Sequence, residues 1–280
     1  MRILVLGGGG MLGRDLCDVL PGEVHAPSRD EVDLADPRSV TRAAEGMDVV
    51  INAAAYTDVD GAEADEATAT AVNGAGAGAA AAAASTAGAR FVQVSTDYVF
   101  GGDADTPYSE DAPVGPRTAY GRSKAAGEAA VRAAHPSPTI VRTAWLYGAH
   151  GRSFPRTMLA LAAQRPRVDV VADQRGQPTW TRDLAGAIRA LIESGTPAGV
   201  FHGTNGGETT WFDFARTVFA SAGLDPERVH PVASAAFPRP AVRPAYSVLG
   251  HDAWRRADLP EPRPWADAFA DAVRSGAVSA

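Results

Sequence analysis

Short apolar runs that end in glycine or other small residues, separated by stretches with helical spacing, predict an α/β fold. The sheet is expected to be parallel and doubly wound, with a smaller C-terminal α/β cap folded against it. Residues 2–6 (Arg-Ile-Leu-Val-Leu) read as a buried strand and run directly into Gly7-Gly8-Gly9-Gly10-Met11-Leu12-Gly13. Leu12, Leu16, Val19 and Leu20 then recur at helical intervals. Gly7, Gly10 and Gly13, between a strand and a helix, form a Rossmann-type turn. Glycines there let a diphosphate approach the backbone, and the helix N-terminus faces the anion. Finally, the strand ends at 6–7, 52–53, 95–96 and 142–145 fall on one edge of the sheet, where ligands of such sheets bind.

The elements follow in order. Glu23–Ala26 is the second strand, leaving Ser28 and Arg29 just beyond it. An acidic residue there would favour NAD through the ribose 2′-hydroxyl; serine and arginine suit a 2′-phosphate instead, the alternative for Arg29 being a plain surface residue. Asp33 and Leu34 are expected to border the adenine. Pro37 opens a helix to about Gly46, and 48–52 is the third strand. Ala53, Ala54 and Ala55 at its carboxyl end leave room for a close-lying cofactor. Residues 60–88 read as one alanine-rich helix, in which Asn73 is the polar exception, either holding the site or simply exposed. Residues 91–95 form the fourth strand, a helix carrying Tyr120 starts near Pro116, and 139–142 form the fifth strand. Further on, helices are expected at 154–164, about 182–194, 211–222 and 265–274, with strands at 168–171 and 200–202. Residues 1–150, completed by about 167–195, make the NADP-binding Rossmann domain; 151–280 are mainly the substrate-binding region, interleaved with the first.

Composition narrows the function. The chain has 280 residues, 45% of them hydrophobic, and a formal net charge of −7, which argues against nucleic-acid binding through a broad basic face. The single cysteine, Cys17, excludes an intramolecular disulfide and any cysteine-based zinc site. No apolar run reaches membrane-spanning length. The strand that begins at residue 2 leaves no room for a signal peptide, so a cytoplasmic protein is expected.

The chemistry centres on Val94–Lys124. Tyr120 and Lys124 are four residues apart and share a helix face. An ammonium beside a phenol favours the phenolate and so eases proton donation. Lys124 is the only lysine; the other 25 of the 26 basic residues are arginine. A chain that uses arginine everywhere else keeps lysine where a compact, pKa-shiftable ammonium is needed.

With Thr96 at the end of the fourth strand, Gly7-x-x-Gly10-x-x-Gly13 and Tyr120-x-x-x-Lys124, the chain resembles the extended short-chain dehydrogenases/reductases, and within them the dTDP-4-dehydrorhamnose reductase family. Further carriers are Asn52–Asp60, Ser95-Thr96-Asp97-Tyr98-Val99-Phe100, Arg142–Trp145, Asp173–Thr179, and Arg243-Pro244 with Ser247. The resemblance implies NADPH, with NADH possible, as hydride donor to a dTDP-linked keto sugar. It implies Tyr120 as general acid, Lys124 lowering its pKa and holding the nicotinamide ribose, and Thr96 bonding the developing oxyanion. Gly7, Gly10, Met11, Leu12, Gly13, Arg29, Asp33, Leu34, Ala53, Ala54, Ala55, Tyr120 and Lys124 would hold the cofactor. Thr96, Asp97, Tyr98, Trp145, Gln177 and Arg243 would hold the substrate; solvated arginine is the alternative for Arg243, and Phe100 is read as core. Tyr98 stands where related dehydratases carry glutamate, which disfavours elimination of water. Some members bind magnesium through a glutamate at a dimer contact. Thr179-Trp180-Thr181-Arg182-Asp183 has none here, so no metal is expected, and the chain is expected to be a monomer or homodimer. Two alternatives stay open: an epimerase on the same scaffold, and a non-catalytic dinucleotide-binding regulatory subunit.

Overall fold

The computed structural model describes residues 1–195 and 198–278. Its centre is a six-stranded parallel sheet: β1 (Arg2–Leu6), β2 (Glu23–His25), β3 (Val49–Asn52), β4 (Arg90–Thr96), β5 (Thr139–Thr143) and β6 (Val200–His202), in the spatial order 2-1-3-4-5-6. The winding reverses between β1 and β3, so their carboxyl ends flank the crevice where such sheets bind ligands. Being covered on both faces, the strands are continuous apolar runs whose residues alternate between two cores. Ile3 and Val5 pack beneath α1 (Met11–Val19) and the helix Thr181–Glu193; Leu4 and Leu6 pack beneath α2 (Pro37–Ala44), α3 (Ala77–Thr86) and α4 (Ala119–Ala134).

Residues 60–88 are not one helix. The path runs Gly61–Ala64, a break at Asp65, Glu66–Thr70, a π-helical stretch Ala71–Gly76, then α3. Asp65 stops the first piece and caps the second by accepting a hydrogen bond from Thr68 N (3.0 Å). The π turn has a tertiary cause. Asn73 is buried: its Oδ1 accepts from Tyr56 N (2.8 Å), and its Nδ2 donates to Tyr56 O (3.0 Å) and Ser123 Oγ (2.9 Å). These bonds join the loop after β3 to α4, which settles the open choice for Asn73 against simple exposure. Gly127 permits the approach, because a Cβ there would lie 2.1 Å from Asn73 O.

The second lobe has its own core of Tyr147, Met158, Phe214, Val218, Phe219 and Phe269 among others, where α5 (Phe154–Gln164), α6 (Trp211–Ser221) and α7 (Trp265–Arg274) meet. The segment 167–195 divides between the lobes. Helix Thr181–Glu193 packs on α1 and the large sheet, as expected of a Rossmann element. Strand Val168–Val171 instead pairs in parallel with Val229–Val232 and lies in the second core, so it does not extend the main sheet. Among the described residues, no helix is long and apolar enough to cross a membrane.

Candidate active site

The first component is the turn after β1. Gly7 has φ +82°, and a Cβ there would come within 2.6 Å of Ala54 N, so the ends of β1 and β3 touch only because the residue is glycine. A Cβ on Gly9 would meet nothing within 4 Å, which leaves an open cradle at the start of α1. Gly10, the N-cap, offers no side chain to the first turn. Free amides facing a cradle fit a diphosphate. Leu12 is buried in the core and Met11 half-buried, so Leu12 can meet a cofactor only through its backbone. Ala53, Ala54 and Ala55 are half-buried at the end of β3. Ala26 lies against Gly8, which puts Ser28 and Arg29 beside the turn. Arg29 is exposed, and Glu31 Oε2 accepts from Ser28 N (2.8 Å) and Ser28 Oγ (2.9 Å), which sets a carboxylate beside Ser28. Asp33 Oδ1 accepts from Ala35 N (3.0 Å), and the buried Leu34 packs toward Gly76.

The second component is the β4 end facing α4. Thr118 caps that helix by accepting from Gly121 N (3.0 Å), and Glu63 Oε1 accepts from Ala119 N (2.8 Å). Tyr120 is thus fixed in the first turn. Its phenol is pushed up to about 12, first by burial and also by the Asp97 charge; the nearby Thr96 hydroxyl works the other way. Thr96 Oγ1 donates to Asp97 Oδ1 (2.9 Å) and accepts from Tyr98 N (3.2 Å). Tyr98 lies edge-on to Tyr120, ring centroids 5.5 Å apart; burial first, and then the Asp97 charge, push its phenol far above the usual range. Asp97 is itself buried and raised to about 6 by that burial.

Lys124 is buried and donates from Nζ to Val94 O (2.7 Å). Burial lowers it to about 8, against the opposing charge of Glu128. The lowering of Tyr120 expected from Lys124 is not in force in this arrangement, where the ammonium points at the β4 backbone and burial rules the phenol. Behind it, Glu128 accepts from Ser95 Oγ (2.7 Å) and from Arg142 Nε and Nη2 (2.8 Å each).

The third component comes from the second lobe. Trp145 has φ +46°, a strained conformation for a bulky residue, and its ring lies against Gly176 on one side and stacks on Trp211 at 3.5 Å. Trp211 escaped the sequence reading, since helix spacing gave it only a packing role. Gln177 corrects the expectation of a substrate contact. It is buried, its Nε2 donates to Leu249 O (3.1 Å), and its Oε1 accepts from Leu249 N (2.8 Å) and Thr204 Oγ1 (2.9 Å), so it ties the polar loop to two other segments. Arg243 is half-buried: Nη2 donates to Asp60 Oδ2 (2.7 Å) and Nη1 to Ala241 O (3.1 Å). Tyr98, Gly101 and Thr118 face Val242 and Arg243 across a narrow cleft. Asp183, in the stretch where a metal-binding glutamate was sought, is held by Arg263 (2.8 and 2.9 Å) and Asn205 (2.8 Å).

Comparison with known proteins places the whole chain in one family. The family model described as RmlD substrate binding domain matches residues 1–277. The chain belongs to this family. It is 50% identical over 278 residues to the probable dTDP-4,6-dihydroxy-2-methyloxan-3-one 4-ketoreductase of Streptomyces antibioticus, covering 97% of this chain and 94% of that protein. It is 49% identical over 277 residues to the dTDP-4-keto-6-deoxy-D-glucose reductase of Streptomyces niveus, covering 97% and 96%. Among solved structures, the dTDP-4-dehydrorhamnose reductase of Bacillus anthracis, in complex with NADP, superposes with a TM-score of 0.95 at 34% identity, covering 98% of this chain and 99% of that one. In this chain the glycine turn follows β1 and Thr96 ends β4, at the same end of one sheet, with Tyr120 and Lys124 on α4 beside β4. Trp211 is the residue of this site that the sequence reading left out, and it offered no signal beyond its place at a helix start.

Proposed function

We propose that this protein is an NADPH-dependent reductase of the 4-keto group of a dTDP-4-dehydro-6-deoxyhexose, with Tyr120 as general acid. The observation that carries the reading is the half-buried Tyr120 phenol in the first turn of α4, one helical turn from the buried Lys124 and at the same end of the sheet as an open glycine cradle. When bound, NADPH supplies a hydride to the ketone carbon.

The chain's own residues do the rest. The amides of the Gly7–Gly13 turn hold the diphosphate, Ala53 to Ala55 leave space beside it, and the exposed Arg29 meets the 2′-phosphate, both Ser28 donors being taken by Glu31. Lys124 holds the nicotinamide ribose. Tyr120, which burial keeps protonated at neutral pH, gives its proton to the sugar oxygen as negative charge builds there, and Thr96 bonds the same oxygen. Tyr98 stays a neutral phenol and offers no base for elimination, which favours reduction over dehydration. Trp145, packed against Gly176 and Trp211, borders the sugar or base with its ring edge, and Arg243, held by Asp60 beside the cleft, meets the sugar diphosphate.

Purified protein mixed with NADPH and a dTDP-4-dehydro-6-deoxy sugar generated in place should consume the coenzyme only when the sugar is present. The near-ultraviolet absorbance of reduced nicotinamide reads this directly. Coenzyme that binds without being consumed would sink the reading.

A further inference from the structure

We propose that Asp97 is a positioning residue that carries a proton in the reacting enzyme, donating to Thr96 Oγ1 and thereby releasing the proton of Thr96 toward the sugar oxygen. The inference rests on the reductase reading above.

It follows from counting donors. A threonine hydroxyl has one proton and two lone pairs. Tyr98 N takes one lone pair of Thr96 at 3.2 Å. An ionised Asp97 can only accept, so it would take Thr96's single proton across the 2.9 Å contact to Oδ1. Thr96 would then keep no proton for a ketone. Protonating Asp97 reverses that bond at unchanged heavy-atom positions. The carboxyl O–H fills the second lone pair, and Thr96's proton is freed.

The surroundings of the carboxyl group fit this state. Asp97 is 3% exposed, and its Oδ2 is buried without a hydrogen-bond partner. The groups bearing on it are the Ser247 hydroxyl from the C-terminal segment, Thr96 at the β4 end, and the amides of Asp97 and Tyr98; none is charged. Ser247 steadies the ionised form from close by but does not complete a hydrogen bond to Oδ2. Tyr98 and Tyr120 face it as neutral phenols, and Arg243 and Asp60 act from the far side of Tyr98. Burial without a cation disfavours the carboxylate, in keeping with the rise to about 6.

The test compares pH profiles of kcat/KM for the wild type and Asp97→Asn, whose amide offers an N–H to Thr96 at every pH. The wild type should lose activity by about tenfold per pH unit above the Asp97 titration, since kcat/KM reports groups of the free enzyme. Asp97→Asn should abolish that descent and fall off only near pH 8, where Lys124 titrates. Asp97→Leu, with no donor, should be depressed about tenfold or more at every pH. An Asn variant that keeps the wild-type descent, or that binds NADPH yet turns over at no pH, would overturn the proposal. Infrared difference spectroscopy gives a readout that needs no turnover: the wild type should show a protonated-carboxyl band, titrating near pH 6, that Asp97→Asn lacks. Its absence overturns the proposal. A wild type that shows the band but reduces no keto sugar would count against the reductase reading and leave the proton on Asp97 in place.

Discussion

Tyr120→Phe is expected to lower turnover by roughly 10²–10⁴-fold while NADPH binding stays within a few-fold of the wild type. The substitution removes one oxygen and leaves the ring's packing against Tyr98, so fold and cradle persist. The size of the loss follows from the chemistry: hydride addition to a ketone creates an alkoxide that must be protonated by a positioned acid. A phenol held up to about 12 by burial is fully loaded at neutral pH, the state an acid needs. Steady-state kinetics with coenzyme binding measured by fluorescence checks this. A variant with wild-type kcat would move the acid elsewhere.

Breaking the ion pair behind the site should produce the second large effect, on stability. Glu128 and Arg142 are about 2–3% exposed, and the pair is bidentate. Burial tends to raise the carboxyl, but the bonds and charge of Arg142, with Ser95 and Arg132, outweigh it and hold Glu128 below its ordinary value. A carboxylate lowered in the fold stabilises the protein above its unfolded pKa and loses that contribution as pH falls through the folded value. Glu128→Leu leaves Arg142 buried and unpaired, at a cost of about 3–5 kcal/mol and a fall in Tm of roughly 10 °C. Adding Arg142→Met should restore most of it. Thermal unfolding by circular dichroism reads both; a single variant as stable as the wild type would show that the pair carries no such weight. Because the Glu128 charge also supports the ammonium one turn away, the single variant should shift the Lys124 titration below about 8.

Local patterns were legible wherever local forces decide the structure. Helices Phe154–Gln164 and Trp265–Arg274 and strands Val168–Val171 and Val200–His202 fall where apolar spacing puts them. The glycine turn follows from Gly7 alone, since no other residue fits between β1 and Ala54. What distant contacts decide was not legible. The π turn at Asn73 depends on the backbone of Tyr56, and alanine propensity by itself predicts an uninterrupted helix. Val168–Val171 reads as a strand, but nothing in the run says that its partner is Val229–Val232 rather than the main sheet. The resemblance implies a substrate contact at Gln177, whereas in the fold its side chain ties the polar loop to two other segments. Lys124 was found by its rarity, whereas its bond to Val94 O, and hence its separation from the Tyr120 titration, needed the fold.

The most direct measurement is isotope transfer. NADPH deuterated at the hydride position is incubated with the protein and a dTDP-4-dehydro-6-deoxyhexose, and the product is examined by NMR. The account predicts a single deuterium at C4, with a hydroxyl on the same carbon, formed by the wild type and lost with Tyr120→Phe. Deuterium at any other carbon, or oxidation of NADPH that leaves the sugar unlabelled, would contradict it.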